Sequence, residues 1–527
     1  MKEKMKERIL TSLLTVLVLS TMQAQTGSVP TAPRLVVGIT IDQLRADYLE
    51  AFAALYGEKG FKRLWREGRI YSNVDYNFTP IDRASALAAL YSGTPPARNG
   101  IVAGQWLDRS TLRVVTCVDD RNFTGYYTAE NTSPQHLQVS TITDELKMAT
   151  QGRSLVYAIA PYRDEAVMAA GHAADGAFWL NELTGKWCSS TYYGGFPRWL
   201  MVYNDNTSTD SRIGNIRWEP LFDKDVYDNP AKEPVFSYSF TDPRKYRRLR
   251  MTPCVNEEVN RVTEACLYGT MLGTDQVTDF LSVSYNAGSF QRESGSYSYL
   301  EMQDTYARLD KDIASLLECI DKKVGLRNTL IFLTSTGYVD NGSAEDASCR
   351  IPTGEFHMHR ATALLNMYLM ALYGDGQYVE AYNGLQIYID RKLVERKQLR
   401  LKEVLDRSAE FLTDLSGVQR VYTSYDLQLG TWSPEIDPVR NAYNPLCSGD
   451  LTVEVSAGWK LMDTDGQSVS IVRQASVNFP LIFLGSGIRP ETIHTLVSTD
   501  CIAPTLARVM RIRAPNACTA VPITDIR

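Results

Sequence analysis

Three common features are missing from this 527-residue sequence. It has no basic stripe and a formal net charge of −6, which argues against nucleic-acid binding as its main role. It has no pair of cysteines in CxxC spacing, so a small zinc knot is not expected. Beyond the N-terminus it has no run of about 18 apolar residues, so the rest of the chain is not expected to span a membrane.

The N-terminus has the pattern of a signal peptide. Four basic residues lie within the first eight, and a short apolar stretch over residues 9–19 follows them. This stretch is too short for a stable membrane span, and the small residue Ala24 offers a cleavage point. We therefore expect residues 1–24 to be removed and the protein to be periplasmic or otherwise exported.

Apolar runs of strand length alternate with helical patterns along much of the chain. The runs cover residues 35–41, 154–159, 280–285, 329–334 and 479–484. The clearest helical pattern covers residues 305–324, where apolar side chains recur at spacings of three and four. Strands separated by helices predict an α/β fold with a mostly parallel central sheet covered on both faces.

Two stretches interrupt this alternation and are interpreted as insertions. Residues 186–270 are rich in aromatic, Pro, Asn and Asp residues, and they predict a cap with little regular structure. Residues 351–440 predict an α+β insertion, with helices over 361–373 and 401–415 and a strand over 385–389. The core would then comprise residues 25–185, 271–350 and 441–527. Most cap aromatics are expected to pack against the core, although exposed ones could bind a glycan or a protein.

Several segments resemble the alkaline phosphatase superfamily, and they occur in the family's order along the chain. One is Leu90-Tyr-Ser-Gly-Thr-Pro-Pro96; the others cover residues 36–48, 60–64, 99–102, 304–312, 331–334, 480–485, 499–505 and 515–518. The branch they resemble contains the monomeric periplasmic alkaline phosphatases and the type I phosphodiesterases or nucleotide pyrophosphatases. The resemblance implies a three-layer α/β sandwich.

The resemblance also implies a reaction and a set of site residues. The family hydrolyses phosphate esters with two zinc ions, held by Asp and His residues, and with a Thr or Ser nucleophile. When the family's site residues are placed on this sequence position by position, the first zinc ligand is kept as Asp42. The nucleophile position falls on Arg83. The asparagine that would hold a phosphate oxygen falls near Gly104, and of the basic pair that would bind phosphate only Arg163 remains. The other ligand positions fall on residues that are neither Asp nor His, within 285–289, on Thr336 and Gly337, and near Asn478.

The whole chain has only five histidines, at positions 136, 172, 357, 359 and 494. His172 and His494 match family positions outside the metal site, and His136 lies in a loop-like segment, so only His357 and His359 could be recruited. Since the family's zinc centre needs three histidines beside aspartates, no cofactor is expected. The sequence therefore predicts an exported pseudoenzyme that acts as a binding or scaffold protein of the cell envelope, with an envelope protein or an anionic ligand as its partner. Two alternatives stay open: a metal-dependent phosphomonoester or phosphodiester hydrolase with a rebuilt site around Asp42, and a glycan-binding module using the cap.

Asp42 and Arg83 are the main candidates for a remaining site. Asp42 could pair with Arg83, hold a weakly bound metal, or accept backbone hydrogen bonds at a helix N-terminus. Arg83 and Arg163 could bind an anion, because the guanidinium fork suits phosphate or carboxylate. His357 and His359 would share one face of an extended segment, which makes them the other metal candidates.

Overall fold

A computed structural model describes residues 32–228, 235–288, 299–339, 354–462, 468–471 and 477–526. The predicted signal peptide over residues 1–24 lies outside these ranges. Within them, no helix has both the length and the apolar character needed to cross a membrane.

The strands follow one another along the chain from β1 to β22. They are β1 (Leu35–Asp42), β2 (Arg69–Asp75), β3 (Gln105–Asp108), β4 (Arg113–Thr116), β5 (Gly125–Tyr126), β6 (Val156–Ala160), β7 (Gly176–Leu180), β8 (Trp187–Ser190), β9 (Arg217–Trp218), β10 (Tyr238–Ser239), β11 (Asp279–Asn286), β12 (Thr329–Ser335), β13 (Glu355–His357), β14 (Val379–Asn383), β15 (Gln386–Ile389), β16 (Val418–Thr423), β17 (Leu451–Val455), β18 (Lys460–Met462), β19 (Ser468–Ile471), β20 (Phe479–Gly485), β21 (Glu491–Ile493) and β22 (Val497–Ser498).

The α-helices likewise run from α1 to α17 in chain order. They are α1 (Ala46–Ala51), α2 (Phe61–Glu67), α3 (Arg83–Ser92), α4 (Pro96–Asn99), α5 (Ile142–Ala149), α6 (Arg163–Ala170), α7 (Arg198–Asn206), α8 (Thr209–Arg212), α9 (Lys245–Arg250), α10 (Cys254–Gly269), α11 (Tyr299–Lys323), α12 (Met358–Tyr373), α13 (Arg391–Arg396), α14 (Leu401–Thr413), α15 (Ser424–Leu429), α16 (Asp437–Ala442) and α17 (Ile502–Met510).

Eleven strands form the central sheet, in the order β21-β2-β20-β12-β1-β11-β6-β7-β8-β5, with β22 also paired to β2. β1 lies in the middle and runs parallel to β12 on one side and to β11 on the other. β6 and β7 continue the parallel part, whereas β20 runs antiparallel to both of its neighbours. The prediction of an α/β fold with a mostly parallel central sheet is confirmed.

The sheet separates two apolar cores, and the side chains of β1 alternate between them. Val37, Ile39 and Ile41 belong to one core, which α10 and α11 cover. Val36 belongs to the other core, which α3, α6 and α17 cover. All eight residues of β1 are buried, as expected for a continuous apolar run in a parallel strand with helices on both faces.

The two stretches predicted to be insertions, residues 186–270 and 351–440, both contain regular secondary structure. Residues 186–270 contain α10, a 16-residue helix, so the prediction of little regular structure is wrong there. Its buried residues Val255, Val259, Val262 and Cys266 recur at helical spacing, but the polar residues between them obscured the pattern. In the second stretch, α12, α14 and β15 confirm the predicted helices and strand. Its strands β14, β15 and β16 form a separate four-stranded sheet with β17, which lies beyond residue 440.

The aromatic side chains of the first stretch are mostly interior. Trp187 and Trp218 are fully buried, and Tyr193 and Tyr203 are buried against the same cores. Trp179, which lies in β7 just before the stretch, is also almost fully buried. This burial matches the expectation that these residues pack the cap against the sheet.

Candidate active site

Asp42 ends β1 at the carboxyl edge of the sheet, and both flanking strands hold it in place. Its Oδ1 accepts a hydrogen bond from the Thr336 hydroxyl at 2.8 Å, and its Oδ2 accepts one from the Tyr338 hydroxyl at 3.3 Å. Its backbone oxygen accepts a hydrogen bond from the Ala287 N–H at 2.9 Å. Thr336 directly follows β12 and Ala287 directly follows β11. This is the edge at which open α/β sheets bind their ligands.

Arg83 is the first residue of α3, and a capping box fixes the start of that helix. The Asp82 side chain accepts from the Ser85 N–H at 2.9 Å, and the Ser85 side chain accepts from the Asp82 N–H at 3.0 Å. The Nη1 atom of Arg83 lies 3.7 Å from Oδ2 of Asp42. Of the three alternatives considered for Asp42, the pairing with Arg83 is present in the structure as this contact.

Two further carboxyl groups contact Arg83, and neither was predicted from the sequence. The two carboxyl oxygens of Asp164 accept hydrogen bonds from Nε and Nη2 of Arg83, at 3.2 and 3.4 Å. Oε1 of Glu165 lies 3.7 Å from Nε of Arg83. Both acids lie in the first turn of α6, whose N-terminus packs beside that of α3. The Arg83 guanidinium also lies 3.8 Å from the ring centre of Tyr162. The only sequence signal for the two acids was their position directly after Arg163.

Three carboxyl groups thus contact the guanidinium of Arg83, and burial raises the pKa of two of them. Burial raises the pKa of Asp42, although Arg83 and the Thr336 hydroxyl partly oppose the shift. Burial also raises the pKa of Glu165 well above its usual range. Arg83 and Asp164 are 24% and 17% exposed, whereas Asp42 and Glu165 are 2% and 1% exposed. The cluster therefore presents Arg83 and Asp164 outward, and behind them lie two buried carboxyl groups whose pKa values burial raises.

Arg163 lies next to this cluster in sequence but contacts a different part of the chain. Its Nη2 atom donates to Asp119 Oδ1 and to Thr116 Oγ1, both at 3.0 Å, and Nη1 donates to Thr132 Oγ1 at 3.3 Å. The side chain is 15% exposed. Its role as an anion-binding residue stays a prediction.

His357 and His359 form a pair at the junction of β13 and α12. Their rings lie 5.8 Å apart, and within the described ranges the Nδ1 atoms have no hydrogen-bond partner. Glu355 Oε2 lies 3.5 Å from Nε2 of His357. No third ligand completes a metal-binding group in the described part of the chain, so this pair also stays a prediction.

The described residues do not fit the family's two-zinc centre. Nowhere among the residues that the structure describes do three or more His, Cys, Asp or Glu side chains form a group that could hold a metal ion. Asp42 meets a guanidinium 3.7 Å away instead, and the side chains that satisfy its oxygens are the hydroxyls of Thr336 and Tyr338. A fixed positive charge at that distance opposes a second cation.

The chain is similar along most of its length to known alkaline phosphatases. It is 30% identical to alkaline phosphatase PafA of Elizabethkingia meningoseptica, over 98% of each chain. It is 29% identical to alkaline phosphatase PhoV of Synechococcus elongatus, over 94% of this chain and 93% of that protein. A crystal structure of wild-type PafA superimposes with a TM-score of 0.83 at 28% identity, covering 95% of this chain and 100% of that one.

These similarities overturn two of the predictions. The predicted non-catalytic scaffold is wrong, because similarity of this extent to alkaline phosphatases supports a phosphatase or phosphodiesterase hydrolase, which the sequence left as an alternative. The prediction that no cofactor is needed is also wrong, because these alkaline phosphatases are metal-dependent. That dependence disagrees with the side chains around Asp42, and we assign no catalytic step to a metal ion.

The resemblance to the superfamily is confirmed by a match that spans most of the chain. The family model of type I phosphodiesterase / nucleotide pyrophosphatase matches residues 36–478, a range that includes β1, β11 and β12. The chain therefore belongs to the type I phosphodiesterase and nucleotide pyrophosphatase family of the alkaline phosphatase superfamily.

Proposed function

We propose that this chain hydrolyses phosphate monoesters or diesters at the sheet edge around Asp42. The observation that carries the proposal is the 3.7 Å contact between Asp42 and Arg83, at the strand end where the family places its reaction. The similarity to alkaline phosphatases over nearly the whole chain supports the same class of reaction.

Arg83 is the proposed binding residue for the phosphoryl group. Its planar fork of N–H donors matches two phosphate oxygens, and it is the most exposed member of the cluster. It also begins a ten-residue helix, whose N-terminal N–H groups favour an anion. In the free protein Asp164 holds this fork, so an entering phosphate would replace the Asp164 carboxylate as its partner.

Asp164, the most exposed carboxyl group around Arg83, is the proposed general base. Water attacks phosphorus, a new P–O bond forms, and the bond between phosphorus and the ester oxygen breaks. The Asp164 carboxylate accepts the proton of the attacking water. The departing alkoxide takes a proton from solvent water and leaves as an alcohol, while the buried Glu165 contacts Arg83 from the inner side. Asp42 acts as a positioning residue that holds Arg83 from behind.

The proposal is tested with p-nitrophenyl phosphate and bis(p-nitrophenyl) phosphate, each with and without added zinc. We expect p-nitrophenol release from at least one ester. Arg83→Lys keeps the charge but loses the fork, so KM should rise at least about tenfold with a smaller change in kcat. Arg247→Lys, at an exposed arginine of α9, is the matched control and should change neither constant. Absence of turnover for both esters under both conditions would contradict the proposal.

Two predictions from the sequence stay part of this proposal. Residues 1–24 are proposed to direct export, which would place the enzyme in the periplasm or outside the cell. Residues 186–270 and 351–440 are proposed as insertions into the hydrolase core made by residues 25–185, 271–350 and 441–527.

A further inference from the structure

The turn that follows α6 packs on the start of α5, and His172 lies within this contact. The main chain turns at Gly171, whose φ of +73° favours glycine. A Cβ atom at that position would overlap Oγ1 of Thr141 and lie 2.8 Å from Oδ1 of Asp144. The turn therefore lies as close to the first residues of α5 as a glycine backbone permits.

The Asp144 carboxylate lies within hydrogen-bond distance of four nitrogen atoms at this contact. Its Oδ1 atom accepts from the backbone N–H groups of His172 and Ala173, at 2.6 and 2.8 Å. Its Oδ2 atom accepts from the Thr141 N–H at 2.8 Å and lies 2.9 Å from Nδ1 of His172. Burial alone would raise the pKa of Asp144, but the His172 ring and the backbone donors lower it below its usual range. Asp144 is therefore ionised near neutral pH.

Both ring nitrogens of His172 face groups that can only accept a hydrogen bond. Nδ1 lies 2.9 Å from the Asp144 carboxylate, and Nε2 lies 3.0 Å from the backbone oxygen of Leu137. A neutral imidazole donates through one nitrogen and accepts through the other, so it would satisfy only one of these contacts. The imidazolium form donates through both nitrogens. The geometry therefore favours the charged ring.

We propose that His172 is held as an imidazolium that clamps the turn after α6 to α5, and that loss of its proton opens this clamp. Burial alone would lower the pKa of His172, but the Asp144 carboxylate and the Leu137 oxygen raise it above its usual range. The His172 side chain is 34% exposed, so its proton exchanges with solvent. The clamp is therefore a pH-sensitive device built into the fold. It is independent of the proposed hydrolase reaction.

The other titratable groups near His172 are two phenols, and neither takes its proton. The Tyr192 hydroxyl donates to the backbone oxygen of His172 at 3.0 Å, and the Tyr193 hydroxyl donates to that of Gly171 at 3.1 Å. Burial raises the pKa of both phenols, so they are neutral near pH 7. Asp120 raises the pKa of Tyr192 further, but among the described residues the charged side chain that acts on His172 is Asp144.

The first test is an NMR titration of the full chain with 15N in its five histidines. The His172 signals are identified by elimination, using glutamine variants of the other four. We expect the midpoint of the His172 titration to lie above about 6.5, the ordinary histidine value. Asp144→Asn should lower this midpoint, because the amide carries no charge that stabilises the ring. A parent midpoint at or below about 6.5 would overturn the proposal, and so would a midpoint that Asp144→Asn leaves unchanged.

Melting curves test whether this proton holds the clamp. A raised folded pKa contributes stability that is complete below the unfolded value of about 6.5 and is lost as pH rises through the folded value. The parent should therefore melt at a higher temperature than His172→Gln below about pH 6.5, and the difference should shrink as the pH rises. His494→Gln is the matched control, because that ring faces the Ser72 hydroxyl at 2.8 Å. A difference that stays constant with pH, or shrinks equally for His494→Gln, would overturn the proposal.

Discussion

At the scale of single residues, the candidate site depends on three acids sharing one guanidinium. Asp42 and Glu165 are almost completely buried on the inner side of Arg83, and burial raises the pKa of both. Burying an ionised carboxyl group costs free energy, so burial favours the protonated form of both groups. The stability of the folded protein should therefore depend on pH.

The variant Glu165→Gln should change how stability depends on pH. The raised folded pKa of Glu165 contributes stability that is present at low pH and is lost as pH rises through the folded value. Glutamine does not titrate, so the melting temperature of the variant relative to the parent should rise as the pH increases above the ordinary glutamate pKa of about 4.3. The underlying free energy changes by at most about 1.4 kcal/mol per pH unit. Melting curves at several pH values measure this.

The control for that experiment is Glu50→Gln, which alters an exposed glutamate of α1. It makes the same chemical change without altering a buried carboxyl group. A Glu165→Gln variant that behaves like this control would show that Glu165 ionises normally in the folded protein.

At the scale of elements, the start of α3 determines where Arg83 lies. Asp82 caps this helix through the Ser85 N–H and also accepts from the Gly104 N–H, so it ties the helix start to a neighbouring loop. Asp82→Ala should lower the free energy of unfolding by about 1–2 kcal/mol, which is the usual cost of replacing an N-cap side chain by alanine. It should also raise KM for a phosphate ester, because Arg83 is the next residue. Chemical denaturation and steady-state kinetics measure the two effects.

Thr141→Ala is the matched control, because Thr141 caps α5 through an equivalent capping box with Asp144. It should cost a similar amount of stability and leave KM unchanged. If both variants raise KM alike, general loosening of the fold accounts for the effect and the position of Arg83 does not.

The central strands and main helices could be predicted from the sequence because their patterns are local. The run 35–41 became β1 (Leu35–Asp42), and the pattern over 305–324 became α11 (Tyr299–Lys323). The antiparallel direction of β20 (Phe479–Gly485) could not be predicted, since direction depends on the path of the chain between strands. The helix Cys254–Gly269 was missed because polar residues fill its exposed face.

At the scale of the whole molecule, the site is only partly predictable because its residues come from distant parts of the chain. Asp42 and Arg83 were identified together because each falls on a family position. Asp164 and Glu165 lie more than 80 residues further along, and they meet Arg83 because α3 and α6 start at the same edge of one sheet. Which of the consecutive residues Arg163, Asp164 and Glu165 faces that edge depends on the rotation of α6, which composition does not determine.

The most direct test of the account compares phosphate ester hydrolysis by the parent, Asp42→Asn and Asp450→Asn. Asp450 is a fair control because it is also fully buried and paired with arginine, at 2.9 Å from Arg109 and 2.6 Å from Arg391, but it directly precedes β17 of the four-stranded sheet and does not contact the central sheet's edge at Asp42. We predict that Asp42→Asn lowers kcat/KM at least about a hundredfold, or about 2.7 kcal/mol, while Asp450→Asn changes it less than about twofold. Equal activity of the parent and Asp42→Asn would contradict a reaction centre around Asp42.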